Sequence, residues 1–454
     1  MRNVCLILIL LILSCSENNE ETYNLIIANT NLIDGTGSEI QNNKNIYIKD
    51  GIIVKIDSKK VKTAKNVIDG TGKYVIPGLF DAHAHTTTYK KDLPLFMHFG
   101  VTSVFITGGS TATNEYYSKM REFGNDTTVS ASRVFNTSQH FISEGSHPVK
   151  TYASSNWIEG ETYFIIENTN QIERLVKEVV KHPIKGIKLT IEDGPMPPFI
   201  ERIPQEFVNK IAEEAKKNNT KVFAHVSDNL ELKMAFDAKI NEIIHYVGVD
   251  IDFKKDTLLL DYIYNNNVSF VTTLMLDKSF LYPLHDDWVK NVETINLFNH
   301  EEVESLKNYS QIEKSSQYLD LLTNEFNIEK PVFKNLIISQ VQDIKTLYDN
   351  GVNMVIGTDT GNTYIFPGYS VHEEMQLMEF GGMQPLDIIK MATHNAAKML
   401  DELDTIGTIE IGKIADMILL DKNPIETIKN TLSINLVIND GIIQERLSAN
   451  SKSN

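Results

Sequence analysis

The chain is expected to fold as an eight-stranded (β/α)8 barrel of the TIM type, with a small β-sandwich domain built from both chain ends. Three observations lead there. The middle of the chain alternates short apolar runs with longer helical patterns, as parallel βα units do. Eight such runs are present, at 74–82, 101–107, 132–137, 184–190, 221–226, 241–246, 268–275 and 352–358. Both ends instead read as short strands closed by glycine turns. Two like ends around a different middle imply one domain inserted into another.

The first residues stand apart from that plan. Arg2 precedes the ten apolar residues Val4 to Leu13. A membrane-crossing helix needs about twenty, so residues 1–14 read as a signal peptide. Ile12-Leu13-Ser14-Cys15 resembles a bacterial lipoprotein cleavage box, in which Cys15 would become the lipidated first residue. An ordinary secretory signal is the alternative. Residues 15–22 are polar and acidic, as a tether should be. The expectation is an exported, membrane-anchored protein facing the periplasm or cell exterior of a bacterium, touching the membrane only through Cys15. Cys5 and Cys15 are the only cysteines in the 454 residues. The mature chain then has no thiolate, and any metal must be held by nitrogen and oxygen.

Residues 23–73 form the first half of the β domain. NIYIKDGIIVKI alternates with period two around Asp50-Gly51, a hairpin signal. Residues 405–447 supply the second half, with IGTIEIGKIADMILLDKNP and INLVINDGIIQER. The barrel occupies 74–404. In PQEFVNKIAEEAKKNN, Phe207, Ile211 and Ala215 share one helical face before the fifth run. Between runs seven and eight, residues 277–337 are too many for a structureless loop, and a helical insertion capping the barrel is expected. The net charge of −17 and the absence of any basic run exclude a nucleic-acid partner.

The chemistry-bearing residues sit at the carboxyl ends of the runs, where barrels of this kind place their sites. IPGLFDAHAHT puts His83 and His85 on one face of a strand. Lys188 lies in GIKLT, His225 in VFAHV, His245 in IIHYV and Asp359 in VIGTDTG. Singly, each has an ordinary reading: a core histidine, a salt-bridged lysine, a helix N-cap aspartate. Together, in barrel order, they describe one nitrogen- and oxygen-lined metal pit. Lys185, the other lysine near the fourth strand, falls on the opposite face.

With PGLFDAHAH, the ATHNAA segment at 392–397 and GTIEIGKIADMILLD, the chain resembles the amidohydrolase superfamily from about Asn24 to Arg446. The likeness is to its binuclear-metal branch with a lysine bridge, near the prolidase-like and imidazolonepropionase-like hydrolases. The resemblance implies two divalent ions, with His83, His85 and Asp359 on the buried one and His225 and His245 on the other. Zinc fits such a donor set best. Lys188, carboxylated by carbon dioxide, would bridge them; a plain ammonium cannot ligate a cation. The implied reaction is cleavage of an amide C–N bond in a dipeptide or N-acyl amino acid, by attack of a metal-bridging hydroxide with Asp359 as general base. A lactone, cyclic amide or phosphotriester could use the same site, and a non-catalytic surface-anchored binding lipoprotein is the reading from another class.

The partner is expected to be a small molecule, and the sequence is compatible with a homo-oligomer. Expected substrate contacts are His140, His147, Tyr246 and Arg202. His147 ends Glu144-Gly145-Ser146-His147, where many relatives carry Gly-Gly-His. His372 and His394 are expected on helices packed outside the barrel, in structural roles.

Overall fold

The computed structural model describes residues 23–61, 64–152, 156–195, 199–324 and 332–448. The expected signal peptide, the tether and Cys15 lie outside the described residues. Among the described residues no helix is long and apolar enough to cross a membrane.

Five strands open the chain: β1 (Tyr23–Leu32), β2 (Gln41–Lys49), β3 (Ile52–Asp57), β4 (Ala64–Asp69) and β5 (Tyr74–Pro77). The barrel region follows with β6 (Leu79–Ala84), β7 (Val101–Ile106), β8 (Arg133–Asn136), β9 (His140–Ile142), β10 (Tyr163–Ile165), β11 (Gly186–Thr190), β12 (Lys221–His225), β13 (Glu242–Ile244), β14 (Ser269–Val271) and β15 (Asn353–Val355). β16 (Met417–Leu420), β17 (Ile434–Asn439) and β18 (Ile442–Ile443) close the chain.

The chain ends share one mixed sheet, ordered β18-β17-β16-β5-β1-β2-β3. It forks at β1, whose first half lies beside β4 and whose Asn31 and Leu32 lie beside β5. β16 runs antiparallel to β5, which joins the two ends. Leu25, Ile27, Ile46, Ile48 and Val75 from the start bury against Met417, Leu419 and Ile438 from the finish. Neither end could bury that apolar face alone. At the β2–β3 turn, Asp50 and Gly51 have φ of 51° and 79°, the left-handed pair a two-residue hairpin needs.

The run 74–82, expected as one barrel strand, is cut in two. β5 belongs to the terminal sheet, and the barrel begins at Leu79. The break is Gly78, whose N–H bonds the Asp416 carbonyl. A Cβ there would meet Thr102 Oγ1 at 2.1 Å, so no other residue lets the chain cross between the two bodies. Arg133 of β8 then ties them together through Asp416 and Asp440, each at 2.5 Å.

The third barrel strand is also broken. β8 pairs with β7, while its continuation β9 pairs with β11, so the two halves make one stave. The ring closes between β15 and β6, where Asp359 N–H reaches the His83 carbonyl at 2.8 Å and Ala84 bridges Thr360. Phe80, Ala82, Phe105, Phe223, Ile244, Val271 and Val355 fill the interior with Met399 and Leu400 from the helix that follows β15 and its neighbours. That dry plug is a barrel floor, and the polar residues come next along each strand: His225 after Phe223, Thr107 after Phe105, Thr273 after Val271.

The insertion between β14 and β15 is helical, as Met275–Leu281, Asp286–Ile295, His300–Ser305, Tyr309–Asn324 and Val332–Asp349. Outside the ring, His372 on the helix Tyr369–Phe380 is buried between Thr431 Oγ1 and the Phe99 carbonyl, both at 2.8 Å. His394 meets Asn395 and is part-buried. Burial lowers His372 to about 4, the Phe99 carbonyl opposing the shift. The unfolded ring titrates near 6.5, so the neutral ring's stabilising contribution is complete above that pH and is lost as pH falls through about 4. Urea unfolding should therefore lose about 3 kcal/mol between pH 7 and 4 on this account. A His372→Gln variant should show a correspondingly flatter pH dependence, and an unchanged slope would refute the assignment.

Candidate metal centre

Six side chains from five staves meet above the apolar floor. His83 and His85 Nε2 each lie 3.1 Å from Asp359 Oδ1, and their rings stand 5.0 Å apart and nearly perpendicular. His83 and His245 stack edge-on at 4.6 Å, and His245 Nε2 lies 3.1 Å from His225 Nδ1. His83, His245 and Asp359 offer ligand atoms all within 4.8 Å of one another.

Each imidazole has one nitrogen fixed from behind. His83 Nδ1 meets Thr107 Oγ1 at 2.6 Å, His85 Nδ1 the Gly108 carbonyl at 3.0 Å, and His245 Nδ1 Thr273 Oγ1 at 2.9 Å. His225 is held through Nε2 by Glu192. The four remaining nitrogens are His83, His85 and His245 Nε2 and His225 Nδ1, and these face the pit. Rear bonds of this kind set tautomer and ring orientation wherever histidines ligate a cation.

Two of the six residues have left-handed backbones. Ile244 points into the floor, so on a regular strand His245 would point out toward the helices. At φ 72° its backbone turns left-handed and swings the ring inward. Asp359 is also left-handed, at φ 64°. Such conformations cost on the order of 1 kcal/mol or more and persist where the surroundings over-determine them. Asp81 is one such constraint: it bonds Thr358 N–H at 3.0 Å and Thr358 Oγ1 at 2.5 Å, fixing the turn that carries Asp359.

Lys188 is fully buried, and its Nζ has no hydrogen-bond partner. Burial pushes it down to about 7, with Asp359 and Glu192 pulling the other way. Burial also disfavours the Asp359 carboxylate, but His83 and His85 more than offset this and hold it well below the usual range. His83, by its burial and the Lys188 charge, falls to about 3 and is neutral. Neutral imidazoles and an ionised carboxylate are the forms that ligate cations. His83 Nε2, Asp359 Oδ1 and Lys188 Nζ are all buried without a well-formed hydrogen bond. Orphaned polar atoms clustered in one pit call for a further polar or charged group. The donor set fits a pair of divalent cations.

The expected substrate contacts fare differently. His147 reaches the rim: it is buried, its Nδ1 meets Thr151 Oγ1 at 2.6 Å, and its ring lies 5.3 Å from His225. His140 faces the pit wall, but both nitrogens are taken, Nδ1 by Thr190 Oγ1 at 3.0 Å and Nε2 by Gly109 N–H at 3.1 Å. Its expected substrate contact is corrected to a wall residue. Tyr246 is also corrected. The turn at His245 sends it outward, buried against Phe270 among the helices. Arg202 is corrected too, because Asp193, Asp228 and Glu231 hold its guanidinium at 2.6–2.8 Å. Its Nη2 and Nε are engaged, and three carboxylates already offset its charge.

Glu192 was not anticipated from the sequence. It stands four residues after Lys188, so strand alternation places Lys188, Thr190 and Glu192 on one face, and that spacing is the signal that could have found it. Tyr152 and Trp157 add an aromatic rim, their rings 5.2 Å from His147 and 5.5 Å from His140.

An eight-stave barrel with a histidine–carboxylate–lysine pit at the carboxyl ends of its strands defines a class of metal-dependent enzyme scaffold. The chain belongs to the Amidohydrolase family, which it matches over residues 74–443. It is 27% identical over 292 residues to the ochratoxinase of Aspergillus niger, a match covering 63% of this chain and 50% of that protein. The chain thus spans about half the length of the ochratoxinases it matches. It is 23% identical over 406 residues to the imidazolonepropionase of Fusobacterium nucleatum subsp. nucleatum, covering 84% of this chain and 86% of that one. Its fold superposes on the crystal structure of a Xaa-Pro dipeptidase with bound methionine in the active site, with a TM-score of 0.69 and 22% identity, across 93% of this chain and 99% of that chain.

Proposed function

We propose that the chain is a metal-dependent hydrolase that cleaves the amide C–N bond of a dipeptide or N-acyl amino acid. The observation that carries this reading is the meeting of buried, hydrogen-bond-orphaned His83 Nε2, Asp359 Oδ1 and Lys188 Nζ beside three further imidazoles. Family membership supports carbon–nitrogen hydrolysis, and the ochratoxinase and dipeptidase likenesses support an amide of an amino acid as substrate.

His83, His85 and Asp359 would hold one divalent ion, and His225 and His245 a second. The ions, zinc by the nitrogen and oxygen donors, would acidify a bound water and polarise the scissile carbonyl. Lys188 has its own task. With its amine near half-neutral at pH 7, it can attack carbon dioxide, forming an N–C bond and releasing one proton. The product is an anionic carbamate with two oxygens where a bare ammonium would repel cations. Asp359 stays ionised, so it can accept the proton of the attacking water and return it to the leaving amine. Tyr152 and Trp157 would shield the pit from solvent and receive an apolar side chain of the substrate.

A substrate panel tests this. Purified protein, reloaded with zinc in bicarbonate, is offered dipeptides, N-acyl amino acids, lactones and phosphotriesters. Amide turnover that vanishes with a chelator and returns with metal is the expected result. Turnover confined to lactones or phosphotriesters, or about zero bound metal in active protein, would overturn the proposal.

A further inference from the structure

Glu192 has a geometry the reaction above does not use. It is 4% exposed, and its Oε2 faces two rings, touching His225 Nε2 and lying 3.7 Å from His147 Nε2. His147, Glu192 and His225 offer donor atoms all within 4.8 Å of one another. The cluster sits behind His225, on the side away from His245.

The rear contacts of the four pit histidines are unequal. Those of His83, His85 and His245 are a hydroxyl, a backbone carbonyl and a hydroxyl. Only His225 has a carboxylate. An ionised acceptor makes a stronger hydrogen bond to N–H than a neutral one and draws positive character onto the ring, which raises the basicity of the opposite nitrogen. It also fixes the tautomer: with Nε2 donating to Glu192, Nδ1 carries the lone pair, and Nδ1 is the atom that meets His245 Nε2. The other structural partner of Glu192 is the loop after β9, through His147, whose Nδ1 is anchored to Thr151.

We infer that Glu192 is a positioning residue that selects the His225 tautomer and, by its charge, strengthens the hold of His225 on the second divalent ion. This rests on the reading that His225 and His245 bind that ion. Glu192 is assigned no contact with substrate or metal. The selectivity is local: the ion held by His83, His85 and Asp359 keeps neutral rear partners and should not depend on Glu192.

The test is zinc binding, not turnover. Metal-free wild type, Glu192→Gln and Glu192→Ala are titrated with zinc against a chromophoric chelator, with thermal unfolding of each metal-free protein as a check on folding. Wild type should bind two zinc ions per chain. In Glu192→Gln, which keeps the shape and loses the charge, one of the two should bind about tenfold more weakly, and in Glu192→Ala up to about a hundredfold. The other ion should be unchanged in both. A cobalt-loaded sample should show altered visible absorption for one ion only. Two unchanged affinities in Glu192→Gln would overturn the inference. So would complete loss of one ion, which would make Glu192 a ligand, or a third zinc per wild-type chain, which would make the His147–Glu192–His225 cluster a cation site of its own. Wild type that binds no zinc would instead sink the proposed function itself, so the two failures can be told apart.

Discussion

Asp359→Asn is expected to lower kcat/KM by about 10²- to 10⁴-fold through loss of the base alone. The asparagine keeps the size of the side chain and its place in the turn after β15. It removes the charge that lets Oδ1 sit 3.1 Å from both His83 and His85 Nε2, and it removes the carboxylate proposed to take the proton from water. Because that proton moves in the transition state, kcat and kcat/KM should fall together while KM changes little. Zinc content measured alongside the kinetics separates the two roles of the residue. Activity within tenfold of wild type in fully loaded Asp359→Asn protein would remove Asp359 from the chemistry.

Lys188→Met should have two effects of opposite sign. Under the proposed mechanism activity should fall by at least about 10³-fold, because no carbamate could form and the two proposed cations would lack their bridging anion. Short carboxylic acids added in solution should restore part of it, since a carboxylate could lend the two oxygens that the proposed carbamate would supply. Metal-free protein, in contrast, should become more stable. The native state holds the Lys188 ammonium buried with no partner, which is why burial drives it to about 7. The sign follows from linkage: above 10.5 neither state is charged and nothing is lost. As pH falls toward about 7 the unfolded chain binds a proton the native chain refuses, and below that the penalty is constant. At neutral pH, methionine should remove a penalty on the order of a few kcal/mol. Denaturant unfolding of metal-free wild type and Lys188→Met reads this directly. A less stable metal-free variant would mean that Lys188 has a native partner, and the bridging argument would lose its physical basis.

The ring of staves was legible because βα alternation survives in local pattern: short apolar runs, helices with three- and four-residue spacing, and glycine turns at both ends. What local pattern could not register was where one body stops. The run from Tyr74 to Phe80 is apolar apart from its Pro-Gly step, yet Gly78 divides it between two sheets, because only the packing of Thr102 against that glycine shows that the strand must change sheets. Lys188 and Lys185 separate by face as strand alternation predicts, with Lys185 paired to Glu402 at 2.5 Å. Tyr246 defeats the same rule, since a left-handed residue at His245 resets the alternation and no residue type announces it. Arg202 defeats it differently. An arginine near a site is a free cation in sequence and a spent one in space once three acids surround it.

By itself, the sequence determined the barrel, the pairing of the two ends and the identity of the six residues that meet in the pit, because these depend on residue type and on the period of each element. Only the tertiary structure decided which nitrogen of each histidine faces inward, which expected contacts are already bound to the protein, and that Glu192 stands behind His225. Those features depend on distances between strands far apart in the chain, and on backbone turns whose cost only the surrounding packing can hold in place.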